Sequence, residues 1–455
     1  MRTGGVNWRL SLAGAFLAAA ILFGGGGTPS PQTELVVELA ALLAVVVWTW
    51  LAARGRSCED VVDWPLFIVG GIVLAIPIGQ LIPLPPALWH HLPGRGTEVR
   101  ALALVGQDEA WMPLSLSPAR TLASLLSLVP PLAMLFMTSR LRDHDRIRLI
   151  GILGGLGLLA GVVGVLQLVS GNANWLRFYA YTSYGFATGF QANRNADADI
   201  LLITTMALVC WACANGRVYR LRQFKWLLSA VAIFLALSVV LTGSRTGVAL
   251  IGVVLLAVIA MAFRSVLSRN RRVAAVVIIA LLVIVGAGYA LSGNARVQRT
   301  LARFDDLDAV RPEIWKDTIF AIREYWPTGT GVGTFQPVFA AAERLEFVRP
   351  EFSNRAHNDY LEFLLEVGFI APILLVLIVA FTLIRITRMM RSRGSNRPTV
   401  GILVLGSFLV LTLHSLVDYP ERSLSLAVVT GMLGGLLGRI VGGRGGSGVS
   451  REVAG

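Results

Sequence analysis

Apolar blocks recur along the whole chain, most of them close to the roughly 17–25 residues that a helix needs to cross a hydrocarbon core. They predict twelve spans, near residues 10–26, 34–53, 64–82, 119–137, 149–169, 196–214, 226–242, 246–263, 274–292, 361–383, 399–417 and 423–440. Short polar strings separate most of them. Two polar segments are long, 83–118 and 293–360. The expected fold is therefore an all-α polytopic membrane protein, with about 12 transmembrane helices and a large polar loop. The first block, "LSLAGAFLAAAILF" behind Arg2 and Arg9, has some features of a signal peptide. Its small residues lie inside the apolar run and no cleavage site follows, which favours a retained span.

The composition agrees: 55% of residues are hydrophobic, only 15% are charged, and the mean hydropathy is +0.68. The charge pattern adds an orientation. "SRLRDHDRIR", "NGRVYRLRQFK", "RSVLSRNRR" and "RITRMMRSRGSNR" are short, strongly basic and, with the spans alternating, all fall on the same side. By the positive-inside rule they face the cytoplasm, so both termini are expected there and segment 293–360 in the periplasm. The net charge of +13 reflects this bias and the attraction of anionic lipid. The basic residues are scattered over many loops rather than gathered into one basic domain, so no nucleic-acid partner is expected. Four regions follow: 1–184, an N-terminal transmembrane part with loop 83–118; 185–292, a transmembrane core; 293–360, the large loop; and 361–455, the last spans and tail.

Three cysteines offer no disulfide framework, and Cys210-x-x-Cys213 lies within a span, where small residues pack helices. Segment 83–118, rich in Pro and Trp, reads as an irregular interfacial loop. Its His90-His91 pair has no third ligand nearby, which favours an interfacial role over a metal. In the large loop "RPEIWKDTIFAIREYW" predicts an amphipathic helix with Ile314, Trp315, Ile319, Ile322 and Trp326 near one face, and "TFQPVFAAAERLEF" predicts a second. The intervening "PTGTGVGTF" lacks the GK[ST] of a phosphate loop and reads as a glycine turn that lets the two helices pack.

The polar residues that could carry chemistry gather on the expected outer side: Asn193, Arg194 and Asn195 before span six, Arg245 in the turn "TGSRTG", Arg311 and Arg355 in the large loop, and His357. Each alone has a plainer reading, since arginines at span ends snorkel to the headgroups. His414 fits helix packing better than catalysis, and Asp359 and Glu362 fit cap and loop contacts better than a metal pair. Together the arginines suit a lipid diphosphate, because a guanidinium binds phosphate oxygens bidentately and keeps its charge. His357 can take a proton from a hydroxyl.

Several motifs resemble the O-antigen ligase and polymerase superfamily of bacterial envelope glycosyltransferases. "GFQANRN" (189–195) resembles its Gly-Phe-x-Asn-Pro-Asn motif, and "GSRTG" (243–247) its arginine turn. "RPEIWKDTIFAIREYWPTGTGVGTF" resembles the start of its periplasmic loop. "HNDYLEFLLEVG" fits its His-x10-Gly pattern, and "HSLVDY" (414–419) is typical. Arg194 departs from the family's proline, and the ligase Arg-x3-Leu pattern is imperfect, with Ala249 in place and Leu250 one residue later. The resemblance implies inverting, metal-free and cofactor-free transfer of a glycan from undecaprenyl diphosphate to a sugar hydroxyl. His357 would act as base. Arg245 and Arg311 would hold the diphosphate, with Arg194, Arg355, Asn193 and Asn195 as further substrate contacts. The partners would be the lipid-linked donor, an acceptor (lipid A-core or a second lipid-linked glycan) and the bilayer, and the place the bacterial inner membrane. A protein O-oligosaccharyltransferase of the same superfamily and a polysaccharide or lipid transporter are the alternatives.

Overall fold

The computed structural model describes residues 7–27, 31–54, 63–171, 174–216, 221–263, 311–348, 353–392 and 396–438. The helices are α1 (Trp8–Phe23), α2 (Pro31–Arg54), α3 (Trp64–Leu81), α4 (Pro86–Trp89), α5 (Gly96–Leu104), α6 (Pro118–Ser127), α7 (Val129–Ser139), α8 (Asp143–Val169), α9 (Arg194–Ala214), α10 (Arg222–Leu241), α11 (Arg245–Ala262), α12 (Arg311–Glu324), α13 (Phe335–Ala342), α14 (Asp359–Val367), α15 (Ile370–Met390), α16 (Arg397–His414) and α17 (Leu424–Leu436). Among the described residues nine helical stretches are long and apolar enough to cross a membrane, with α6 and α7 counted as one; α1 and α17 are shorter apolar helices. The expected span 274–292 lies outside the described residues.

Most span helices leave large apolar side chains exposed, as expected of surfaces that face lipid, whereas α9 and α16 are largely buried. Close helix packing explains how. On α8 the run "GILGGLGLLAG" replaces side chains with hydrogen: a Cβ at Gly157 would lie 1.6 Å from the Thr204 hydroxyl of α9. Small residues let backbones approach where hydrocarbon lipid gives no hydrophobic drive to associate.

The two ends of the bundle differ. At one end Asp63 pairs with Arg385, which also donates to the Leu437 carbonyl, and Arg146 donates to the carbonyls of Ser139 and Gly438. At the other end the long polar segments build a cap. Its core is Ile314, Ala321, Ile322, Phe335, Val338, Phe339, Ala356 and Leu365. α12 and α13 occupy the two predicted amphipathic stretches. The buried face of α12 differs from the predicted one: Ile314 and Ile322 point inward with Asp317 and Thr318, while Ile319 and Trp326 are exposed. Arg344 holds Asp317 at 2.6 Å, which lets that carboxylate sit inside.

Two other expectations need correction. Span 361–383 is not one helix. α14 ends at Val367, Gly368 turns the chain at φ 66°, and the membrane-length helix is α15. A Cβ at Gly368 would stand 2.1 Å from the Pro327 carbonyl oxygen, so the break is locked by the cap. Segment 83–118 is more regular than expected. Pro83–Leu84 pairs antiparallel with Met112–Pro113, and Trp89 is fully buried, donating to the Ala110 carbonyl. His90 bonds the Asp108 carbonyl at 2.8 Å. The glycine turn gathers backbone amides on a carboxylate: Glu366 Oε1 accepts from Gly333 at 2.8 Å and from Phe335 at 3.4 Å.

Candidate functional site

His357 sits in a short connector pinned on two sides. The Trp315 indole of α12 donates to the Ala356 carbonyl, and the Asp359 amide donates to the Ser415 carbonyl just past α16. Asn358 caps α14, accepting from the amides of Tyr360 and Leu361, and donates to the Leu416 carbonyl. His357 itself holds φ 49°, the only non-glycine residue at positive φ among those described. Such a conformation persists only when neighbouring contacts determine it.

The imidazole faces Asp418: Nδ1 and Oδ1 are 3.2 Å apart, and the Tyr419 ring lies 5.0 Å from the histidine ring. Asp418 is 2% exposed. Its second oxygen accepts from the Asn195 amide at 2.5 Å and the Asn193 amide at 3.3 Å. Burial alone would raise the Asp418 pKa. The hydrogen bond and charge of His357, the charge of His414 and the Asn195 amide outweigh burial and hold this carboxyl well below the usual range. An ionised carboxylate only accepts, so Nδ1 donates to Asp418, and in the neutral imidazole that tautomer leaves the lone pair on Nε2.

The motifs of the α9 and α11 starts meet beside this cluster. Asn193 caps α9 by accepting from the Asn195 amide at 2.8 Å. Arg194 is the first helical residue, a position where proline is favoured because no backbone donor is needed there. Here the Arg194 N–H donates to the Ser183 hydroxyl at 3.4 Å, and the guanidinium lies 4.2 Å from the Phe186 ring centre, close to Gly243. Ser244 caps α11 by accepting from Gly247, so Arg245 begins that helix. Arg311 acts electrostatically on both His414 and Tyr419, which brings it to the same region.

Three of the expected substrate contacts, Asn193, Asn195 and Arg355, have partners within the chain. Asn193 and Asn195 spend their amides on Asp418. Arg355 pairs with the buried Glu362 at 2.7 Å, which also takes Arg422 at 3.1 Å. Arg422 reaches Glu366 at 3.0 Å as well, and Asp359 accepts from the Ser415 hydroxyl. Asp359 and Glu362 thus serve loop contacts, as expected. His414 is buried against Asp199, Nδ1 to Oδ1 2.7 Å, which fits packing. Among the described residues no group of three or more His, Cys, Asp or Glu could hold a metal ion. Sequence reading missed the pairing of Asp418 with His357, 61 residues apart, and the role of Arg422. The acid in "HSLVDY" beside a second histidine was the available signal.

Residues 230–376 match the family model described as O-Antigen ligase, Wzy_C. The match includes the Arg245 turn, Arg311 and the histidine connector, and leaves out the Asn193–Asn195 and Asp418 partners. A search of curated proteins found no match.

Proposed function

We infer from the match over residues 230–376 that the chain carries a domain of the O-antigen ligase and polymerase superfamily. We propose that it is a membrane glycosyltransferase that moves a glycan from undecaprenyl diphosphate to a sugar hydroxyl on the periplasmic face of the bacterial inner membrane, by O-antigen ligation or polysaccharide polymerisation. The observation that carries this reading is the His357–Asp418 pair, held in one orientation by the cap, α9 and the end of α16.

Asp418 keeps the proton on Nδ1, so Nε2 is the base. The acceptor hydroxyl gives its proton to Nε2 as its oxygen attacks the anomeric carbon. The bond from that carbon to the diphosphate oxygen breaks, and the diphosphate leaves with the electron pair. A single displacement inverts the anomeric centre. Arg245, Arg311 and Arg194 neutralise the departing charge, which is the work a divalent cation would otherwise do. Arg355, already bound to Glu362, positions the connector. The general base contributes about 10²–10⁴ in rate. A transporter places its charged groups near the bilayer midplane on broken helices. Here the histidine, its carboxylate and the asparagines sit under a cap at helix ends, which supports an enzyme.

The test is transfer by the reconstituted chain from a purified lipid-diphosphate glycan to lipid A-core, to a second lipid-linked glycan and to a Ser/Thr peptide, each with excess chelator. Transfer to either of the first two is expected. Transfer to the peptide alone would support protein glycosylation. Movement of the donor between leaflets without transfer would support a transporter.

A further inference from the structure

The loop from Asn174 to Asn193 joins α8 to α9 and is fastened along one side. Gln167, fully buried on α8, donates to the carbonyls of Leu176 and Gly189, both at 2.9 Å, and accepts from the amides of Thr188 and Gly189. Arg177 turns inward and donates to the Thr188 hydroxyl at 3.0 Å. The Tyr179 hydroxyl accepts from the Gly25 amide just past α1, and the Ala192 amide donates to the Gly25 carbonyl.

The other side of the loop is aromatic. Trp175, Phe178, Tyr181 and Tyr184 recur at every third residue and all are exposed. Phe178 leans on Phe190 at 5.5 Å, and Tyr184 lies 5.8 Å from the Arg177 guanidinium. Trp175 and Tyr181 are the most open, at 76% and 71% exposed. The span helices differ, since most of their exposed large side chains are Leu, Ile and Val. Between Asn174 and Ala192 the one charged residue is Arg177, and it is buried. Interfacial anchors combine Trp and Tyr with Lys or Arg that reach the headgroups. This loop instead presents rings and hydroxyls with no outward charge.

The aromatic side is continuous with the place proposed for the donor diphosphate. The Ser183 hydroxyl accepts from the Arg194 N–H, and the Phe186 ring centre lies 4.2 Å from the Arg194 guanidinium. The Ala187 amide donates to the Leu241 carbonyl, just before the turn that leads to Arg245. A diphosphate held by Arg194 and Arg245 therefore leaves its glycan beside these rings. The C–H groups of a pyranose face carry slight positive charge and pack on the negative face of an aromatic ring, while a phenol hydroxyl bonds sugar hydroxyls. Neutral sugar rings are thus the complement of this surface.

We propose that Trp175, Tyr181 and Tyr184 form a stacking platform for sugars of the donor beyond the one at the reacting bond, so that this loop selects donors by glycan length. The proposal rests on the glycosyltransferase reading and names the residues that read the glycan, which the histidine and arginines do not do.

The test uses the full chain in nanodiscs and the lipid-diphosphate glycan purified from the native membranes, either intact or trimmed enzymatically to its first sugar. Trp175→Ala and Tyr181→Ala remove exposed rings. Each should raise KM for the intact donor about threefold to tenfold, the worth of one aromatic contact, and leave KM for the trimmed donor unchanged. Tyr181→Trp, which keeps a ring, should restore the intact-donor KM. The glycan released from its lipid by mild acid should show saturation-transfer NMR signals with wild type and with His357→Ala, and weaker ones with Trp175→Ala and Tyr181→Ala. An unchanged intact-donor KM in both ring variants would overturn the proposal. An equal rise for intact and trimmed donors would do so too, because the rings would then serve the lipid or the membrane surface. Binding of the released glycan through these rings, without transfer to any acceptor, would keep the platform and sink the glycosyltransferase reading.

Discussion

Asp418→Asn is the perturbation that separates an oriented base from a merely polar corner. The carboxylate now accepts three N–H groups: His357 Nδ1 at 3.2 Å, Asn195 at 2.5 Å and Asn193 at 3.3 Å. An asparagine offers one oxygen and one amino group, so it cannot serve all three. With its oxygen towards His357, its amino group meets two other amides, and buried donors are left unsatisfied at about 1–3 kcal/mol. With its oxygen towards the amides, its amino group meets Nδ1 and forces the proton to Nε2, which abolishes the base. Either orientation depletes the productive state. We expect transfer to fall about 10²–10³-fold, or roughly 2.7–4 kcal/mol in barrier. The assay is initial-rate transfer in membranes with matched protein level, as the loss of a buried carboxylate beside His414 also touches folding. Asp418→Ala should be no more active than Asp418→Asn. A rate within threefold of wild type at equal protein level would refute the claim that Asp418 sets the histidine's proton.

Arg245→Ala should weaken donor binding and slow transfer, and Arg245→Lys should recover only part of the function, because lysine keeps the charge but loses the bidentate fork; a silent Arg245→Lys in a donor titration would reduce this residue to an anchor. Fusions of a reporter after residues 145, 222, 270 and 392 should read cytoplasm and fusions within 300–350 periplasm; a cytoplasmic signal from 300–350 would put His357 in the wrong compartment. Glu421 is held at about 8, above its ordinary 4.5, so folding favours its protonated form and stability falls as pH rises through that interval. Glu421→Gln keeps an acceptor for the Thr430 hydroxyl, so its melting temperature relative to wild type should be higher at pH 9 than at pH 5; an unchanged difference between the two pH values would contradict the burial of that carboxyl.

Much of the bundle was legible because membrane spans are written in length and hydropathy, which are local. Blocks such as 34–53 and 149–169 became α2 and α8 almost unchanged. The breaks were harder to read. Apolar residues continue across 361–383, and the stop at Gly368 depends on a carbonyl of Pro327 that lies 41 residues earlier. The joint between α6 and α7 at Leu128 precedes Pro130 and Pro131, a signal that hydropathy averages away. At the site, residue types were legible and partners were not. His357 stood out as a polar group entering an apolar run, yet its conformation comes from Trp315, Ser415 and Leu416, none of them neighbours in sequence. Asn193 and Asn195 read as substrate contacts through the resemblance of "GFQANRN" to the family motif. In the fold those amides are turned to Asp418. Arg355 likewise met a protein carboxylate, since α14 presents Glu362 one turn beyond its cap.

The central claim is that His357 removes the acceptor's proton. Its most direct measurement is glycan transfer by His357→Ala in the same membranes as wild type, normalised to protein level, with donor binding measured alongside. A loss of about 10²–10⁴ in rate with donor binding retained is expected. Near-normal transfer at equal protein level would contradict it and remove His357 from the mechanism.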